Sequence, residues 1–171
     1  MDFFITGMPR SKTAWFSAYF THDNFICHHE QLANEGLISI LIHKESDLIR
    51  EGISDSALLN CWEDITISFS RSKWIIIERE FKECRASCLK FGISEHIIMS
   101  AKKQLDKMIE AKRDDPNCLI LPFDFTPMQL EQACDHIGMQ YDHRYSTEMM
   151  RMNIQMTIIE RDRLRTKLKL T

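Results

Sequence analysis

The sequence predicts an α/β domain of three layers, α/β/α, around a mainly parallel sheet. Two observations carry this. Short apolar runs that are β-branched or aromatic and do not alternate, such as Phe3–Ile5, Trp74–Ile77 and Cys118–Leu121, are separated by stretches with helical periodicity. The first run also passes through a Gly-Pro turn directly into a helix bearing Trp15, Phe16, Tyr19 and Phe20, the order expected of a strand feeding a crossover helix.

Taken in order, Phe3, Phe4 and Ile5 suit a buried strand that Gly7 and Pro9 end, and Ser11 and Thr13 open the helix. Asn24–Cys27 reads as a second short strand, followed by His28-His29-Glu30, with Glu30 a candidate cap for a helix starting near Gln31. Leu37–Ile49 is helix-like and offers Ile38, Leu41, Ile42 and Ile49 to a core. Gly52–Ser56 is a short strand or turn that leads, with Ser54 or Asp55 as cap, into a helix across Leu58, Leu59, Trp62 and Ile65. Asp55 and Ser56 are secondary site candidates because they approach the carboxyl edge of the sheet.

Trp74–Ile77 reads as a central parallel strand with a helix behind it. Ser94–Lys112 is amphipathic, with Ile97, Ile98, Leu105, Met108 and Ile109 inward. Asp114–Asn117 ends it, Cys118–Leu121 is another buried strand, and Thr126-Pro127 starts a helix to His136 that Gly138 closes. From Thr147 the chain is helical and methionine-rich, through Met149, Met150, Met152 and Met156. Residues 147–171 are expected to extend a single domain covering 1–171, with a homodimer through this helix as one use for the stripe. The basic end, Arg161–Lys169, reads as a solvated helix end.

Composition narrows the partners. A formal net charge of −3 leaves no global basic field for nucleic acid, and the longest apolar runs are too short to span a bilayer. The first residues, with Asp2 and an early Pro9, do not read as a secretory leader. The six cysteines are therefore expected to be reduced thiols in a cytoplasmic protein. Cys84 and Cys88 share a helix face, where packing is the expectation rather than zinc.

The chemistry concentrates in the first turn. A strand ending in Gly7-Met8-Pro9 and opening a helix directs backbone N–H groups to one place, Arg10 adds a cation, and Ser11 and Thr13 add hydroxyl donors. The strict phosphate-loop pattern needs one more glycine than Gly7 through Lys12-Thr13 provides, so the turn reads as punctuation or as a phosphate site.

The run Gly7-Met8-Pro9-Arg10-Ser11-Lys12-Thr13-Ala14-Trp15 resembles the 5′-phosphosulfate loop of the sulfotransferases, G-x-P-[KR]-S-G-T-[TS]-[WL]. Lys12 stands in place of its glycine and Ala14 in place of a second hydroxyl residue. Arg79 at a strand end and Ser87 eight residues later are similar to that family's pair for the 3′-phosphate, although Glu80-Phe81 replaces its Asn/Asp-Pro. Phe123-Asp124-Phe125 resembles its Tyr-Glu-Asp-Leu segment.

The resemblance implies a five-stranded, P-loop kinase-like fold. The implied donor is 3′-phosphoadenosine 5′-phosphosulfate (PAPS), with 3′,5′-adenosine bisphosphate (PAP) as product and a hydroxyl or amine as acceptor. It makes Gly7, Pro9, Arg10, Ser11, Lys12, Thr13, Ala14, Trp15, Arg79 and Ser87 the donor site, with Arg10 also catalytic. Glu30 becomes the base, with His28 or His29 as substitute, and no metal is required. Two other classes remain open: a nucleotide kinase or NTPase using Lys12-Thr13, and a non-catalytic module of the same fold.

Overall fold

The computed structural model describes residues 1–41 and 49–152. Five strands, β1 (Phe3–Gly7), β2 (Phe25–His29), β3 (Arg50–Ser54), β4 (Lys73–Glu78) and β5 (Cys118–Pro122), form one sheet in the order β2-β3-β1-β4-β5. Every neighbouring pair is parallel. The chain leaves β1 towards β2 on one side of the sheet and leaves β4 towards β5 on the other. The crevice between the carboxyl ends of β1 and β4 is therefore the topological switch point, where open α/β sheets bind ligands.

Alternation along the central strands sorts the core into two faces. Phe3, Ile5, Ile75, Ile77 and Leu121 pack under α1 (Thr13–Tyr19), α6 (Pro127–Ile137) and α7 (His143–Met150). Phe4, Ile53, Trp74 and Ile76 face the opposite layer of α2 (Gln31–Leu41), α3 (Trp62–Ser68), α4 (Phe81–Lys90) and α5 (Glu95–Lys112). Helices on both faces explain why these strands read as continuous apolar runs.

The ends of the elements follow local chemistry. Thr126 and Gln129 form a reciprocal capping box at α6, Pro127 occupies its first turn, and Gly138 closes it with φ 74°. Asp55, 1% exposed, accepts from Ala57 N–H at the start of a 3₁₀ turn over Ser56–Asn60 and from Leu32 N–H in the first turn of α2. The side-chain cap on α2 thus comes from Asp55, whereas Glu30 contributes its backbone carbonyl, to Asn34 N–H.

Three sequence expectations change. The helix after β2 begins at Gln31 and breaks at Gly36 (φ 79°), which re-phases the apolar face: Ile40 is buried, whereas Ile38 is 75% exposed and Leu41 and Ile49 are also exposed. Ile42 lies outside the described residues. The helix expected across Leu58–Ile65 is split into the 3₁₀ turn and α3. Met149 is buried core rather than partner surface, while Met156 and the basic Arg161–Lys169 end lie outside the described residues.

Candidate functional site

Strand register assembles the site. Gly7 pairs with Ile77, Ile5 and His29 both pair with Ser54, and Glu78 pairs with Pro122. The residues that follow therefore emerge along one edge: the 8–12 loop after β1, Glu30 after β2, Ser56 after β3, Arg79 after β4 and Phe123 after β5. Pro9, Arg10 and Lys12 of that loop, with Glu30, Ser56, Arg79 and Phe123, line a cavity of about 860 Å³ together with Thr13, Ala14, Trp15, His29 and Ser87, whereas Ser11 is buried behind it.

The loop is held from behind and turned by its backbone. A Cβ on Gly7 would lie 2.7 Å from the Ile77 carbonyl oxygen, so β1 and β4 reach this spacing only with glycine there. Beneath the turn, the Cys84 and Cys88 thiols donate to the Pro9 carbonyl at 3.2 and 3.3 Å. Burial pushes the Cys84 thiol up to about 12 and raises Cys88 as well, which keeps both protonated as donors. Both thiols thus pack beneath the loop, and none of the six cysteines is in a disulfide. Arg10 (φ 71°) and Lys12 (φ 61°) adopt left-handed conformations of the kind that converge successive N–H groups on an anion. Because α1 has only seven residues, its dipole is a small addition to the charges.

Among the described lining residues, Arg10, Lys12 and Arg79 are cationic and Glu30 is the one carboxylate. Arg79 donates from Nη1 to the Arg10 carbonyl at 2.8 Å, which ties the end of β4 to the loop. Its guanidinium carbon lies 4.1 Å from the Phe123 ring centroid, and its buried Nε–H has no acceptor. An orphaned guanidinium donor beside a cationic loop fits an oxyanion. Ser87, on α4, lines the same cavity. Ser11 is buried, its hydroxyl against the Cys84 thiol, and Thr13 is buried with its carbonyl accepting from Ser54 Oγ at 2.8 Å.

The remaining candidates divide. His29 and Glu30 line the cavity, 3.8 Å apart from Nε2 to Oε1, and the Glu30 carboxylate is exposed at the rim. His28 alternates to the other side of β2, where its Nε2 faces Glu51 Oε2 at 3.8 Å. Ser56 reaches the cavity, whereas Asp55 is a buried double cap. Trp15 stacks on Tyr19 (5.0 Å, 8°), donates its indole N–H to the Met149 carbonyl at 3.0 Å, and so braces α7 as well as walling the cavity.

Several lining residues were not site candidates in the sequence. Phe91 lies 4.1 Å from the Arg10 guanidinium carbon, and Ile93, Ile97, Phe123, Phe125, Met150 and Met152 complete the wall. Ile97, expected inward, is exposed towards this cavity instead of packing in the core. Phe91 had a legible signal, since it follows Ser87 by one helical turn on the same face.

The fold agrees with that of solved structures. Mouse sulfotransferase SULT7A1 complexed with PAP superposes with a TM-score of 0.62 at 16% identity, over 88% of this chain and 62% of that one. The chain has the sulfotransferase fold. A sulfotransferase from Alicyclobacillus acidocaldarius matches with a TM-score of 0.58 at 9% identity, covering 98% of this chain and 91% of its own. No protein-family model matches the chain, and no curated protein matches it. The chain thus spans less than two thirds of the mouse enzyme's length. Among the described residues, no helix is long and apolar enough to cross a membrane, and no group of three or more His, Cys, Asp or Glu is placed to hold a metal.

Proposed function

We propose that this sulfotransferase-fold chain is a sulfotransferase that takes PAPS as donor, releases PAP, and transfers the sulfuryl group to a hydroxyl or amine. The observation that carries the reading is the tie between Arg79 and the Arg10 carbonyl, with Ser87 on the same cavity wall. It brings the strand-end cation and the loop cation to the switch-point crevice, as a ligand phosphorylated at both ends requires. The PAP complex of the mouse protein supports the ligand class.

When bound, PAPS supplies the activated sulfuryl group. In this reading the chain's own residues position it and balance charge. Arg10 neutralises negative charge at the leaving oxygen. Ser11, Thr13 and the loop N–H groups hold the 5′-phosphate, with Gly7 and Pro9 setting the turn and Ala14 leaving room. Arg79 and Ser87 hold the 3′-phosphate. Glu30, exposed at the rim beside His29, takes the acceptor proton, and His29 is the substitute base on the same wall. Cysteines that form no disulfide suit a cytoplasmic setting.

Calorimetric titration with PAP, beside ATP with magnesium, tests the donor site. Sulfuryl transfer from PAPS to a panel of phenols, alcohols and amines tests turnover. Binding of PAP in preference to magnesium ATP, with transfer to any acceptor, is the expected result. Preference for magnesium ATP would replace this reading with a nucleotide kinase or NTPase. PAP binding without transfer to any acceptor would leave a non-catalytic module.

A further inference from the structure

The cavity interleaves cations with aromatic rings. Arg10 lies over the Phe91 ring and Arg79 over the Phe123 ring, and Trp15 and Phe125 add further aromatic lining. Aromatic faces beside a phosphate-binding surface are where a base stacks. Here a side chain of the protein already lies on them. Lys12 Nζ is 4.3 Å from the Phe123 centroid and 4.7 Å from that of Phe125, and it donates to the Phe123 carbonyl at 2.7 Å. These contacts fasten the loop after β1 to the segment after β5.

We propose that Lys12 is a specificity-determining residue, an internal cation that lies on Phe123 and Phe125 and must leave them before the ring of a nucleotide can stack there. The proposal rests on the nucleotide reading of the site. An anion without a ring needs only the Arg10 and Arg79 cations and meets no such obstacle. One further observation agrees with a side chain committed to this position. The backbone at Lys12 is left-handed (φ 61°), a conformation costly for any residue with a Cβ, so the side-chain contacts offset a backbone penalty.

The test is calorimetric titration of the wild-type protein, Lys12→Ala and Lys12→Gly with two probes, PAP and inorganic pyrophosphate. Alanine removes the ammonium but keeps a Cβ in the left-handed conformation, whereas glycine removes both. Both variants are expected to bind PAP about tenfold more tightly than wild type, the equivalent of releasing two cation–π contacts. Neither should bind pyrophosphate more tightly.

Unchanged or weaker PAP binding in both variants would overturn the proposal while leaving the nucleotide reading in place. Tightening in Lys12→Gly alone would also overturn it, because backbone strain rather than the ammonium would then set the affinity. If none of the three proteins binds PAP, the nucleotide reading falls, and the proposal falls with it, since clearing Lys12 would have opened no place for a ring.

Discussion

Replacing Arg79 with alanine separates recognition of one phosphate from general attraction to anions. One Nη of its guanidinium is engaged with the Arg10 carbonyl at 2.8 Å, which leaves the buried Nε–H and the second amino group for a ligand. Two charge-assisted hydrogen bonds, each counted at about 1.5 kcal/mol because the side chain is only partly buried, total about 3 kcal/mol. That corresponds to roughly a 150-fold loss in affinity.

The loss should fall on PAP and spare adenosine 5′-monophosphate, whose affinity should change by less than about threefold if Arg79 reads only the 3′-phosphate. Arg79→Lys restores the charge without the planar fork and should recover only part of the loss. Titration calorimetry of the three proteins with the two nucleotides, alongside thermal unfolding, gives the full comparison. An equal loss for both nucleotides would refute the assignment and reduce Arg79 to a brace for the loop. A loss of less than about fivefold for PAP would refute the donor count itself.

Three other perturbations follow from the same geometry. Glu30→Gln should slow sulfuryl transfer by about 100-fold or more while leaving thermal stability unchanged, because its carboxylate is exposed; an undiminished rate alongside a slow His29→Gln would move the base to His29. Gly7→Ala places a Cβ 2.7 Å from the Ile77 carbonyl oxygen and should cost about 2 kcal/mol in urea unfolding, with an unchanged midpoint contradicting the close approach of β1 and β4. His136 donates Nε2–H to the Trp74 and Asn117 carbonyls at 3.2 Å each, and burial lowers its pKa. The unfolded chain therefore binds the proton more readily, so stability should be full above about pH 6.5 and fall as pH drops through the lower folded-state value, a slope that His136→Asn should remove.

The layered α/β architecture was legible along the chain, because strands covered on both faces must be apolar throughout and the helices between them carry their own start and stop residues. The sequence also marked the Gly7–Trp15 turn and the Arg79/Ser87 spacing, since both depend on short-range order along the chain. Which strand ends are neighbours became clear only once the sheet was assembled. The order β2-β3-β1-β4-β5 places Arg79 against the Arg10 carbonyl, although 69 positions separate them in the chain.

Strand alternation over a single residue separated His29 from His28, but which face met the cavity depended on how β2 joined β3. The Gly36 break turned Ile38 outward, a change of helical phase that apolar spacing alone does not reveal. The side chain of Lys12 was settled at the longest range, by a carbonyl and two rings that begin 111 positions downstream. A cation's partners are whatever the fold packs beside it, and one-dimensional spacing carries no record of that.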